Sequence, residues 1–326
     1  MLRREFGLSA LGLLAGAAAG SRPAAAQTPY PTRTVTIVAP FAAGGSTDLI
    51  ARLVAQSLSA RLGQQFVVDN KAGANGAVGN GFVARARPDG YTLLVTPNST
   101  YAINPHLYTN LPYNQERDFA PIGLLVQNGF FLVVRADSRY RTVADFVAAA
   151  RAAPDTISYG SGGIGSANHL APEMFAAASG IKLEHVPYRG SGQITTALLG
   201  GELPMAFDNF SSVWPFAREG KMRVLGVTSL QRSPAAPELP AISETVPGFE
   251  SLSWHGLFAP ARTPPEIVAR LNAEARAALA TPLVQGRFAD LGITPVGNSP
   301  EEFRAFVASE TQRWGEVAKR ANISLD

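Results

Sequence analysis

The sequence contains no cysteine, which excludes disulfides, thiolate metal sites and a cysteine nucleophile. Histidine is scarce: the four residues at 106, 169, 185 and 255 include no two at metal-ligand spacing, so each reads as a structural or surface histidine and no metal site is expected. A dominant charge is missing too. Lys+Arg 28 against Asp+Glu 25 leave +3, and the arginines are scattered rather than gathered in a stripe, which argues against a nucleic-acid partner. No stretch has the uncharged length of a membrane helix.

What is present begins with an export pattern. Arg3 and Arg4 precede a short apolar run at 6–19, and Ala24-Ala25-Ala26 supplies the small-x-small site of a signal peptidase. Residues 1–26 are therefore expected to be a cleaved signal peptide, with Gln27 as the mature start and the periplasm as destination. Arg3-Arg4-Glu5-Phe6 fits a twin-arginine signal as well as an ordinary Sec signal. Without this segment the net charge falls to about +1, and the remaining chain is long enough for two domains.

From Arg33 onward strand and helix alternate. Residues 34–39 are rich in β-branched side chains, and 48–62 carry apolar residues at Leu49, Ile50, Leu53, Val54, Leu58 and Leu62, one helical face closed by Gly63. A strand at 66–69, a short helix at 77–86 and a strand at 91–96 follow. The pattern restarts with helix 142–152 and continues as strand 156–159, helix 166–178, strand 183–187, helix 191–199, strand 205–207, helix 213–219 and strand 224–227. The rest is nearly all helix, opening at Thr263, Pro282 and Ser299. The expected architecture is α/β and two-lobed. Each lobe is a mostly parallel sheet flanked by helices, and the chain crosses between lobes near 124–134 and 251–259. The lobes are expected to comprise 27–127 with 252–326, and 128–251.

Two glycine-rich turns stand where strands lead into helices, at Pro40 through Asp48 and at Tyr159 through Ser166. Ligands of open α/β sheets sit outside the carboxyl ends of strands. Glycine lets the backbone approach a ligand, and the next helix offers unpaired N–H groups at its positive end. Each turn is an anion site of modest strength, or merely a tight connection; two facing each other across a cleft would hold a carboxylate without arginine. The second turn also satisfies Gly-x-Gly-x-x-Gly through Gly160, Gly162 and Gly165, with Glu184 nineteen residues beyond Gly165. That spacing makes an exported dinucleotide-dependent oxidoreductase the alternative reading. A hydrolase fares worse: no Gly-x-Ser-x-Gly elbow occurs, and Ser179-Gly180-Ile181-Lys182 lies at a helix end, where a Ser-x-x-Lys nucleophile is not found.

Pro40-Phe41, Gly44-Gly45 and Asp48 are followed by Asn70-Lys71-Ala72-Gly73-Ala74, Pro88-Asp89-Gly90-Tyr91 and Arg117-Asp118-Phe119-Ala120-Pro121. Tyr159-Gly160-Ser161, Val186-Pro187-Tyr188-Arg189-Gly190, Phe207-Asp208-Asn209 and Trp254-His255-Gly256-Leu257-Phe258 complete the series. In this order they resemble the Bug proteins, the extracytoplasmic receptors of tripartite tricarboxylate transporters. The resemblance implies a type II periplasmic binding fold, not an enzyme, that closes on an organic acid or acidic amino acid without a cofactor. It also implies a monomer that serves integral-membrane transporter subunits or a sensor. It nominates Phe41, Ala43, Gly44, Ser46 and Asp48 from the first turn, and Ser161, Gly163, Ser166 and His169 from the second. Thr96, Asn98, Tyr188 and Asp208 join them, with Asp48 either capping its helix or touching ligand. Ser191-Gly192-Gln193 and Pro204 depart from the family pattern in the second lobe.

Overall fold

A computed structural model describes residues 30–154, 156–234, 236–321 and 323–325; the expected signal peptide and mature start lie outside them. In chain order the elements are β1 (Val35–Ala39), α1 (Ser46–Leu62), β2 (Phe66–Asn70), α2 (Ala77–Ala84), β3 (Thr92–Pro97), α3 (Asn104–Leu107), β4 (Phe119–Gly129) and β5 (Phe131–Arg135). Then come α4 (Val143–Ala152), β6 (Ser158–Ser161), α5 (Ala167–Ser179), β7 (Glu184–Pro187), α6 (Ser191–Gly200), β8 (Met205–Asp208), α7 (Phe210–Arg218) and β9 (Met222–Val227). The chain ends with β10 (Leu252–Pro260), α8 (Pro265–Leu279), α9 (Pro282–Asp290), β11 (Thr294–Pro295) and α10 (Pro300–Arg320).

Two sheets form, ordered β11-β4-β10-β3-β1-β2 and β7-β6-β8-β5-β9. Both are mixed, which corrects the expectation of mostly parallel sheets. β2, β1 and β3 run parallel, as do β7, β6 and β8, whereas β10 is antiparallel to β3 and β4 and β5 to β8 and β9. The segments read as crossings are themselves strands. A chain that leaves one sheet and later returns to it runs in opposite directions on the two passes, so β4 and β10 pair antiparallel.

Local sequence explains the helices that matter. α1 buries Thr47, Ile50, Leu53, Val54 and Leu58, a face at helical spacing, and stops at Gly63, whose φ of 67° is left-handed and suits glycine. Leu49, which the periodicity assigned to that face, is 37% exposed instead. The capping boxes at Thr142 and Ser299 form on α4 and α10. Against the first sheet, α8 packs on β4 and α1, and α10 on β4 and the turn Ser99–Ile103. One buried cluster there joins Tyr101, Trp254, Phe258, Phe303 and Trp314, and it also receives Leu170 from α5. The indole N–H groups of Trp254 and Trp314 both donate to the buried Glu310 carboxylate, at 2.9 and 3.0 Å, which satisfies three polar groups inside an apolar cluster.

The three strands that meet between the sheets are tied by one hydroxyl. Phe130, the single residue between β4 and β5, donates its N–H to Thr228 Oγ1 at 2.7 Å, and Thr228 Oγ1 donates to the Ser251 carbonyl. Backbone bonds join the same residues: Thr228 N–H to Phe130 O and Ser251 N–H to Thr228 O, each 2.9 Å. Thr228 and Ser251 have no exposed surface. Thr228→Val keeps the shape and removes the hydroxyl, leaving the Phe130 N–H unsatisfied. It is expected to cost about 1–3 kcal/mol in chemical denaturation, and an unchanged denaturation midpoint would show that the hydroxyl ties nothing.

Candidate functional site

A cavity of ≈ 450 Å³ lies between the two sheets' loops, within the usual range for small-molecule sites. Both glycine turns line it, the first through Phe41, Gly44, Gly45 and Ser46, the second through Gly162, Ser166 and Asn168. Two further helix starts join them, Gly190-Ser191 ahead of α6 and Asn209-Phe210 ahead of α7. The four N-cap residues, Gly45, Ser166, Gly190 and Asn209, make no side-chain cap bond. Each helix therefore turns first-turn amides and the positive end of its dipole toward the cavity. The two capping boxes are on helices elsewhere.

Of the nominated residues, Phe41, Gly44, Ser46, Asn98 and Ser166 line the cavity; the others lie behind it or beside it. Asp48 is turned inward as a brace. It accepts the Gly44 N–H at 2.9 Å, Arg52 Nε at 3.0 Å and Asn70 Nδ2 at 3.0 Å. Burial pushes its carboxyl up, but the bonds from Arg52, Gly44 and Asn70 and the Arg52 charge outweigh this and hold it below the usual carboxylate range. Thr96, fully buried, donates to Asn80 Oδ1, and Ala43 is exposed beside Gly44.

Ser161 has no exposed surface. Its hydroxyl accepts the Gly163 N–H at 3.1 Å and lies 2.6 Å from His185 Nε2, so it shapes the turn from beneath. His169 accepts the Gly165 N–H on Nδ1 and stacks on His185 with ring centroids 3.8 Å apart. Sequence spacing gave no hint of this pair. Tyr188 is half-buried, its N–H bonded to Ser161 O. Asp208, 1% exposed, sits beneath the starts of α6 and α7, where its Oδ1 accepts from Ser191 Oγ at 2.6 Å and Asn209 N–H at 2.8 Å.

The lining residues that escaped the sequence reading include Thr47, His255 and Asn128. Thr47 and His255 are joined by a 3.0 Å bond between Oγ1 and Nε2, and Asn128 Nδ2 donates to Asn209 Oδ1 at 3.2 Å. Thr47 is the second residue of α1, within the turn already singled out, and His255 lies in the Trp254-His255-Gly256 motif; both signals were legible. The dinucleotide spacing has another explanation. Glu184 pairs with Ser158 at the start of β7, the strand end away from the Gly162 turn. A side chain on Gly160 would press on the tip of Leu203, and Gly165 has a left-handed φ of +77° that favours glycine, so local structure offers a reason for both glycines.

Three of the histidines and Asp208 titrate well away from their ordinary values. Burial lowers His255 and His185 to about 3 and about 4, and burial with the His185 charge lowers His169 to about 3. Burial raises Asp208 to about 6, against the opposing bonds from Ser191 and Asn209. Below the ordinary histidine value of 6.5 the unfolded chain takes up three protons that the folded chain refuses, so stability falls as pH drops toward 4. Asp208 has the opposite sign, adding stability as pH falls from about 6 to 3.8, but it is one group against three. Thermal melts are expected to give a lower Tm at pH 5 than at pH 7.5, with a smaller difference in His185→Gln. Equal melting temperatures at the two pH values would contradict the assignment.

The chain resembles known proteins over nearly its whole length. The model of the tripartite tricarboxylate transporter receptor family, TctC, matches residues 50–323. A protein from Pseudomonas sp. (strain P51), the UPF0065 protein in the tcbD-tcbE intergenic region, is 42% identical over 88% of this chain and 86% of its own. The structure of R. palustris Rpa4515 with adipate is 36% identical, with a TM-score of 0.80 over 90% of this chain and 99% of that one. That of MatC from Rhodopseudomonas palustris with bound malate is 33% identical, with a TM-score of 0.76 over 88% and 99%. Among the described residues no helix is long and apolar enough to cross a membrane.

Proposed function

Because this chain belongs to the receptor family of tripartite tricarboxylate transporters, we propose that it is a periplasmic solute-binding protein that captures a small organic acid between two lobes. It delivers the acid to integral-membrane transporter subunits or presents it to a sensor. The observation that carries this reading is the convergence of four helix starts without side-chain caps on one cavity. An anion there satisfies amides that no side chain of the four N-caps serves. The adipate and malate in the two similar structures support a carboxylate as that anion.

The lobes are residues 27–127 with 252–326, and 128–251, a division supported by which strands share a sheet except that β4 runs on to Gly129 in the first. Closure is a population shift: the acid stabilises the closed form by bridging α1 in one lobe to α5, α6 and α7 in the other. The amides of Ser46, Thr47 and Ala167 and the Ser46 hydroxyl hold the carboxylate, while Phe41 and Asn98 border it and Ser166, whose hydroxyl donates to Gly163 O at 2.6 Å, fixes the second turn beside it. Asp48, Ser161, Gly163 and His169 set the shapes of the two turns. The protein acts as a monomeric receptor, not an enzyme, needs no cofactor, and is exported by the Sec or twin-arginine route.

Gly45→Asp separates binding from folding. Gly45 has an extended φ of −79°, and an added Cβ would meet nothing nearer than Ala42 O at 3.5 Å. Aspartate is a favoured N-cap, so it caps α1 from within and places a negative charge where the ligand's would lie. The expected result is an unchanged or higher Tm with carboxylate affinity reduced at least tenfold by calorimetry. Undiminished affinity in a well-folded variant would overturn the proposal.

A further inference from the structure

Ser299, Ser166 and Asn209 stand at N-caps with nearly the same backbone conformation, yet their side chains behave differently. Ser299, ahead of α10, has φ −74° and ψ 162°, and its hydroxyl caps the helix by accepting the Glu302 N–H. Ser166 ahead of α5 (φ −69°, ψ 157°) and Asn209 ahead of α7 (φ −70°, ψ 153°) make no such bond. Their backbones permit a cap, and asparagine is among the strongest N-cap residues. What differs is the partner each side chain finds. The Ser166 hydroxyl is directed at two other acceptors, Gly163 O and Asn168 Oδ1, 2.6 and 2.8 Å away. Asn209 Oδ1, the atom that would cap α7, accepts from Asn128 Nδ2 at 3.2 Å.

Asn128 reaches Asn209 from the other sheet. It stands near the end of β4, opposite Ser253 of β10, whereas Asn209 directly follows β8. Asn128, Asn209 and Ser211 all line the cavity. The Ser212 and Val213 N–H groups both bond Asn209 O, so the open first-turn amides of α7 are those of Phe210 and Ser211. Ser211 is the second residue of the helix, the nearer of the two positions that an N-cap side chain serves. Resting on the carboxylate reading above, we infer that Asn128 is a positioning residue for ligand capture: by holding the Asn209 carbonyl away from α7, it keeps the Ser211 amide free for the acid. Without Asn128, Asn209 turns onto the Ser211 N–H and caps its own helix, and the acid must displace that cap to bind. The cost in affinity is that of one N-cap, about fivefold. Gly45 and Gly190 reach the same end at α1 and α6 by having no side chain to cap with.

Asn128→Ala, Asn209→Gly and the double variant separate this role from a direct contact with the acid. In the ligand-free protein, amide hydrogen exchange followed by NMR is expected to slow at Ser211 in Asn128→Ala and to return to the unaltered rate when Asn209→Gly is added. Loss of a merely structural contact would speed exchange at Ser211 or leave it as it was, and either result overturns the inference. Calorimetry on the mature protein then uses whichever of succinate, adipate, citrate and benzoate most raises the Tm. Asn128→Ala is expected to bind that acid about fivefold more weakly. Asn209→Gly is expected to stay within about twofold of the unaltered protein, and the double variant within about twofold of Asn209→Gly. An equal loss from Asn128→Ala in both backgrounds would show that Asn128 touches the acid itself, overturning the positioning role and leaving the carboxylate reading standing. No rise in Tm with any of the four acids would overturn both.

Discussion

Four helices open onto one cavity, and none of their N-cap side chains satisfies the first-turn amides. A helix start leaves its first-turn amides without intrahelical partners, and a ligand that closes the cleft over them must supply those bonds; this requirement organises the rest of the molecule. It explains why the turns are built from glycine and small polar residues, which leave the backbone open to approach. It also explains why the charged residues near the site face away from it. Asp48 holds Gly44, Arg52 and Asn70, fixing the first turn from behind, and Ser161 with His185 does the same for the second. The residues that shape the site and those that face the cavity are largely different sets.

The amides can act together only if the two sheets keep a defined relation. Phe130, Thr228 and Ser251 join the segments that pass between the sheets, through bonds that use both the donor and the acceptor capacity of one buried hydroxyl. Away from this clasp the sheets approach through α5, whose Leu170 enters the cluster of Trp254 and Phe258, and through Phe210 on Gly292. A receptor that must open and close needs contacts of both kinds: a fixed join where the chain crosses, and separable packing on either side of the ligand.

Much of this was legible in the sequence because the periodic elements carry their own signals. α1, with Ile50, Leu53, Val54 and Leu58 followed by Gly63, could be read within two residues of its observed start, and both glycine turns fell at the carboxyl ends of β1 and β6. β4 and β10 were read as connections because 119–129 and 252–260 are buried on both faces and show no alternation. α7 was placed three residues late, since Ser211 and Ser212 are weak helix formers and Pro215 interrupts the pattern; the helix start at Asn209 was lost with it. Side-chain direction was the larger gap. A sequence places Asp48, Ser161 and Asp208 at the turns, but whether each faces a ligand or the interior depends on partners far away in the chain, such as Asn70 and His185.

The central claim is that a carboxylate sits among the amides of helix starts from both lobes. An amide-resolved proton–nitrogen NMR titration with the organic acid that most raises Tm addresses it directly. The expected result is that the largest shifts cluster at residues 45–48, 166–168, 191–192 and 210–211 and saturate with one common affinity. Large shifts confined to one lobe, or to residues remote from these four starts, would contradict the account.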